Sequence, residues 1–229
     1  MASITERLDK VRLTVRDGKT YVSVTSAMAL VKTLLREPED SYGPPALAMI
    51  HALEGTACHA ACLDWLAHAH GWLPEHVPPP WPPNHGDERR WWNVLSLAQK
   101  GFAEFVQQYG VEPIGIEQES SSSAYGLVGH LDLYCSLKWR TRRVKAVVDL
   151  KFVAAIQESH RLQVRCYGRL AGFKDAQIGM IFHGNRETGQ WKIEPVDLTV
   201  GLEDVAAVAN AARLYSWAEG KRGAGPDLR

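Results

Sequence analysis

The pattern of apolar and polar positions changes period several times along the chain. Arg12-Leu-Thr-Val-Arg16 and Lys19-Thr-Tyr-Val-Ser-Val-Thr25 alternate around Asp17-Gly18, a two-residue turn signal, so residues 11–25 read as a hairpin. A helical period follows over Ala27–Leu35, capped by Thr25 or Ser26 and ended by Pro38 and its acidic surroundings. Gly43-Pro44-Pro45 leads into a second helix over about 46–70, with Leu47, Ile50, Leu53, Ala57, Ala61 and Trp65 on its apolar positions. Residues 71–90 are proline-dense and suit neither a helix interior nor a central strand. They predict a stiff surface excursion held down by Trp72 and Trp81. Arg89 then opens an amphipathic helix to about Tyr109, through Leu95, Ala98, Phe102 and Phe105.

The second half is richer in strands. Val111–Gln118 predicts one, Ser120–Ser123 a polar turn, Gly126–Leu137 a second strand, and Lys138–Lys145 a basic turn with Arg142-Arg143 at its tip. Ala146–Phe152 predicts a third strand, 156–171 a helix, Ala176–His183 a fourth strand and Trp191–Pro195 a short fifth. A helix over 201–218 closes the pattern, and Gly220–Arg229 reads as a frayed tail. Tight turns joining some strands and a crossover helix joining others require a mixed sheet, hence an α/β fold. The whole is expected to be one domain, 1–229, with its core at about 46–183.

Composition narrows the class little. At 229 residues, 45% hydrophobic and 23% charged, the chain is an ordinary globular one with a sizeable core. No apolar run approaches the ~18 residues of a membrane span, and the amino terminus shows no signal-peptide core, which points to an intracellular protein. Four cysteines without a CxxC pair argue against a disulfide framework or structural zinc. Charge adds more. The net charge is +0, yet from Lys138 to Lys174 ten Lys/Arg face two acids, so a basic block sits in an otherwise acidic chain. That distribution suits a local phosphate footprint.

The chemistry gathers in and just before this block. Asp132 lies in an apolar strand among Leu127, Val128, Leu131 and Leu133, and Asp149 ends the apolar run Ala146-Val147-Val148. Carboxylates at such positions are costly unless paired or bound to a cation. Two of them on adjacent strands call for a hard cation with oxygen ligands, Mg²⁺ or Mn²⁺. Alternation puts Asp149 and Lys151 on one side of their strand and Leu150 in the core. An ammonium beside such a site orients a water or offsets charge on phosphate.

Asp132, Asp149-Leu150-Lys151 and Gln163-x-x-x-Tyr167, in this order, resemble the PD-(D/E)XK nuclease superfamily, in the branch of RecB-type nuclease domains and phage recombination exonucleases. Gly55-Thr56-x-x-His59 is similar to the branch's helix motif, Tyr21–Ser26 to its opening segment, and Gly126-x-x-Gly129-x-x-Asp132 to its glycine-led approach to the first aspartate. The resemblance spans roughly residues 21–183.

It implies a restriction-endonuclease-like core, a central mixed β-sheet flanked by helices, and Mg²⁺- or Mn²⁺-dependent phosphodiester hydrolysis. Lys151, Asp149, Asp132, Gln163 and Tyr167 would be the catalytic set. His59, Asp132, Asp149 and the Leu150 backbone carbonyl would hold metal, with Glu117 a further candidate, preferred over Glu119 two residues on. Arg140, Arg142, Arg143, Arg161 and Arg165 are the expected phosphate contacts. Relatives with an iron–sulfur cluster use a carboxy-terminal cysteine group, and no cysteine follows Cys166, so no cluster is expected. The implied role is an exonuclease at DNA ends in phage recombination or repair, within a bacterial or phage-infected cytoplasm. A single-strand annealing protein or helicase is the implied partner class, and a homo-oligomer is open. The alternatives are a structure- or sequence-specific endonuclease on the same fold and a non-catalytic DNA-binding or interaction module.

Overall fold

The computed structural model describes residues 13–16, 19–34, 45–82 and 85–223. Strands β1 (Leu13–Arg16) and β2 (Lys19–Ser23) pair antiparallel, as alternation predicted, while the Asp17-Gly18 turn lies outside the described residues. Helix α1 (Val24–Leu34) begins before Thr25 and Ser26, so neither residue is its cap. Leu35 and Pro38 lie outside the described residues. Helix α2 (Pro45–Ala69) and helix α3 (Glu88–Tyr109) follow, the latter capped by Asp87, whose carboxylate accepts the Arg90 N–H at 2.8 Å. Gly110, at φ 54°, closes α3 in the left-handed region.

The excursion between α2 and α3 is held differently from expectation. Trp72 and Trp81 remain 48% and 36% exposed. Trp91 of α3 does the anchoring, its indole N–H donating to the Pro79 carbonyl at 3.2 Å, with His76 against Gln99 at 2.7 Å.

Strand β3 (Glu112–Ser122) includes the serines expected as a turn. Their pairing with Leu127–Gly129 overrides a turn-like composition, and the turn falls at Ser123–Gly126, where Gly126 has φ 66°. Strands β4 (Leu127–Trp139) and β5 (Arg142–Lys151) form a tight hairpin. Lys138 pairs with Arg143 and Trp139 with Arg142, so the tip is Arg140-Thr141 rather than Arg142-Arg143, and Arg140 takes φ 56°. Helix α4 is shorter than expected, Glu158–Tyr167, with a 3₁₀ turn at Ala171–Phe173. Strands β6 (Ile178–Gly184) and β7 (Trp191–Val196) precede helix α5 (Leu202–Gly223). Helix α5 absorbs part of the expected tail.

The sheet runs β1-β2-β4-β5-β6-β7, with β3 on the far edge of β4, and mixes parallel and antiparallel pairs. Helices cover both faces. One core joins α2 and α3 to Leu133, Cys135, Val148, Leu150 and Phe182, and the other joins α1, α4 and α5 to Leu127, Tyr134, Val147 and Ile181. Burial on both faces explains the continuous apolar run of β5. This is a restriction-endonuclease-like arrangement, as the resemblance implied. No helix among the described residues is long and apolar enough to cross a membrane.

One topological detail makes the site. Because β3 occupies one edge of β4 along Leu127–Ser136, β2 and β5 share the other edge. β2 takes Leu127 and Val128, and β5 takes Leu133 onward, which leaves Gly129–Asp132 between them without a ladder partner on that side.

Candidate active site

The sheet opens one step before its two aspartates would meet. The β4–β5 ladder stops at Leu133–Val148, and instead of continuing it, the Asp132 carboxylate accepts the Leu150 backbone N–H at 2.6 Å. Asp132 is 8% exposed and Asp149 fully buried. Alternation along β5 carries Lys151 to the same side, where its Nζ lies 2.7 Å from Asp149 Oδ2.

Helix α2 supplies His59. Its Nε2 is 3.0 Å from Asp132 Oδ2 and its Nδ1 3.6 Å from Glu117 Oε1. Glu117 reaches this position because its backbone leaves the extended region, at φ 48°, just past a register shift between Pro113 and Gly115. A non-glycine residue held there is a local strain of the kind found beside functional sites. Glu119 instead pairs with His130 at 3.1 Å.

Gln163 and Tyr167 are one turn apart on α4, and the Gln163 amide donates to the Tyr167 hydroxyl at 2.9 Å. The ring of Tyr167 lies against Gly129, where a Cβ would come within 2.7 Å of its Cε1. Here the glycine of the motif has a physical reason: only a bare Cα admits the ring.

His59, Glu117, Asp132, Asp149, Leu150, Lys151, Gln163 and Tyr167 thus line one cavity of about 470 Å³, together with Thr25, His51, His130 and Phe152. The five arginines do not line it. Arg140 and Arg142 are exposed at the hairpin tip, and Arg142 is seven strand residues from Asp149, about 23 Å at ~3.3 Å per residue. Arg143 pairs with Glu112 at 2.9 Å, Arg161 with Glu158 at 3.1 Å and with Glu194, and Arg165 with Glu158 at 2.9 Å.

The electrostatics are those of a crowded acidic site. Burial pushes the Asp149 carboxyl above the usual range; Lys151 pulls it back, Asp132 adds to the rise, and the net direction is up. Burial acts the same way on Asp132, but the His59 charge and hydrogen bond, Lys151 and the Leu150 N–H outweigh it, and its pKa falls. Burial works to lower the His59 pKa, but Asp132 and Glu117 reverse the sign and the net direction is up. Glu117 is raised by burial, with Asp132 adding to it against His59.

A divalent cation fits this donor set. One ligand atom each from His59, Glu117 and Asp132 lie within 4.8 Å of one another. Asp149 Oδ1 beside them is buried without a hydrogen-bond partner, while Oδ2 lies 2.7 Å from the Lys151 ammonium. Buried carboxylate oxygens left in this condition are what a hard cation satisfies.

Sequence reasoning gave no role to Glu54 and Arg186, paired behind the pocket wall, or to His51, which meets Arg186 from the cavity lining. Their only signal was a carboxylate at the buried position Glu54 of an otherwise apolar helix.

No family model matches the sequence, and no curated protein matches it. Among solved structures the chain is similar to an alkaline exonuclease from Laribacter hongkongensis, at 13% identity and TM-score 0.35 over 56% of this chain and 71% of that one. It is also similar to SSO0001, at 11% identity and TM-score 0.38 over 93% and 86% of the two chains.

Proposed function

We propose that this chain is a metal-dependent deoxyribonuclease that hydrolyses phosphodiester bonds, acting as an exonuclease at DNA ends in phage recombination or repair. The observation that carries the reading is the meeting of His59, Glu117 and Asp132 at ligand distance beside a buried Asp149 whose Oδ1 has no partner and whose Oδ2 faces Lys151.

His59, Glu117, Asp132, Asp149 and the Leu150 carbonyl would hold Mg²⁺ or Mn²⁺, which supplies Lewis acidity and lowers the pKa of water. The chain's own groups do the rest. Lys151, 19% exposed at its side chain, would orient the attacking water and offset charge as it builds on the phosphate oxygens. Asp149 holds that ammonium in place. Gln163 and Tyr167 brace the wall of the cavity against Gly129. At the far end of the same two strands Arg140 and Arg142 are exposed and would meet the backbone of a duplex leading to the site; such contacts are sequence-independent and salt-sensitive.

The test is degradation of linear and closed circular DNA with Mg²⁺ or Mn²⁺, by wild type and Lys151→Ala. Loss of linear DNA alone, abolished in the variant, supports the exonuclease. Cleavage of the closed circle supports an endonuclease on the same site, and equal rates in the two proteins overturn the catalytic assignment.

A further inference from the structure

Behind the pocket wall lies a buried ion cluster that the chemistry above does not use. Glu54 of α2 is fully buried, and its carboxylate accepts from Arg90 Nε at 2.6 Å and Nη2 at 3.1 Å, from Arg186 Nε at 3.0 Å, and faces His85 Nε2 at 3.0 Å. Burial would raise its pKa, but Arg90, His85 and Arg186 hold it down at about 2. Arg186, in the turn between β6 and β7, is 6% exposed. It stands 132 residues from Glu54 in the chain.

Arg90 already makes a two-point contact to Glu54 and also pairs with the exposed Glu187 at 3.1 Å. A second buried guanidinium costs desolvation that attraction to the same carboxylate repays poorly. Its other contacts account for it. Arg186 Nη1 donates to the Phe152 carbonyl at 2.8 Å, and Nη2 meets His51 Nδ1. Phe152 directly follows Lys151, and both His51 and Phe152 line the catalytic cavity.

The contact to His51 has a chemical consequence. A guanidinium has donors and no acceptor, so His51 Nδ1 must accept, and the ring is then neutral with its proton on Nε2. The 3.4 Å approach of the same Nδ1 to Glu54 Oε2 is therefore two acceptors sharing one guanidinium, not an ion pair.

We propose that Arg186, oriented by Glu54, is a positioning residue of the catalytic cavity. It holds His51 as the Nε2–H tautomer, a neutral hydrogen-bond donor on the cavity wall for a phosphate oxygen of the substrate. It also clamps the backbone immediately after Lys151. The identity of the acceptor rests on the phosphodiesterase reading above; the tautomer does not.

Two measurements test this separately. Side-chain ¹⁵N–¹H spectra of the folded protein report the His51 tautomer directly. The Nε2–H form is expected in wild type, with Arg186→Met freeing Nδ1 to carry the proton toward Glu54. A wild-type His51 that is protonated on Nδ1, or on both nitrogens, overturns the proposal without any variant. In metal-dependent DNA hydrolysis, Arg186→Met and the charge-retaining Arg186→Lys should lower kcat about tenfold or more with little change in KM, as loss of an outer positioning partner does. His51→Gln, which returns a donor near the place of Nε2, should recover activity that His51→Ala loses. The exposed variant Glu203→Gln, on α5, should match wild type. Undiminished kcat in folded Arg186→Lys and His51→Ala proteins overturns the positioning role. A wild type without nuclease activity would sink the phosphodiesterase reading instead, and the spectra would still decide the tautomer.

Discussion

The Asp132 carboxylate takes the backbone N–H of Leu150 at 2.6 Å, so the first aspartate of the site is tied to the peptide that follows the second. The bond replaces a ladder step and keeps β4 and β5 apart beside the His59, Glu117 and Asp132 donors. Asp132→Asn keeps an acceptor for that N–H and removes one ligand charge. It should fold as wild type does and bind Mn²⁺ about tenfold or more weakly. Asp132→Ala leaves the buried N–H unpaired and should additionally cost about 1–3 kcal/mol of stability. Calorimetric titration with Mn²⁺ and urea unfolding separate the two effects; Mn²⁺ affinity unchanged in Asp132→Asn would remove Asp132 from the ligand set.

A cation that relieves three crowded carboxylates stabilises only the folded chain. Mn²⁺ at a hundred times its dissociation constant should add about 2.7 kcal/mol by mass action. Chelation should reverse it, and Asp149→Asn should abolish the shift. Melting curves with and without Mn²⁺ are sufficient, and a shift that persists in Asp149→Asn would place the cation elsewhere.

On the proposed reading, Lys151 would pull catalysis and cation binding in opposite directions. Its ammonium, 2.7 Å from Asp149, opposes an incoming cation while assisting the phosphate. Lys151→Ala should lose about 10²–10⁴ in hydrolysis and bind Mn²⁺ more tightly. Rate and titration on the same preparation check both signs, and weaker binding in the variant would contradict this arrangement.

The Glu54 cluster makes stability depend on acid pH. The folded pKa of Glu54, about 2, lies below its ordinary value of 4.5, so its contribution is complete above the unfolded pKa and fades as pH falls from about 5 toward 2. Removing the charge with Glu54→Gln leaves Arg186 buried without its partner and should cost about 3–5 kcal/mol at neutral pH. The gap between wild type and variant, from urea unfolding at several pH values, should narrow with acid. A gap that stays constant from pH 6 to 3 would mean that Glu54 does not titrate as described.

Gly129→Ala should damage the site without touching a reacting group. The new Cβ would lie 2.7 Å from Tyr167 Cε1 and 3.2 Å from Leu170 Cδ1, so the ring must move or the strand must shift. Overpacking of this kind costs about 1–3 kcal/mol, and activity should fall with it. Thermal melting and DNA hydrolysis read the two losses; a variant equal to wild type in both would show that the ring gives way freely.

By itself the sequence determined most of the elements and the side of β5 and face of α4 that line the cavity, because both depend on neighbours within a turn or a strand. The apolar run into Asp149 and the two-residue step to Lys151 set one side of β5, and the four-residue step from Gln163 to Tyr167 set one face of α4. Local pattern failed where pairing decides. Ser120–Ser122 read as a turn and became strand against Leu127–Gly129, and Arg142-Arg143 read as a tip and became paired strand. Only the tertiary structure decided that β2 and β5 share one edge of β4 and leave Gly129–Asp132 open between them. It alone turned Glu117 toward His59 and brought Arg186 to Glu54 across 132 residues. Register and the partners of buried charges are set by contacts between distant segments, and local propensity holds no record of them.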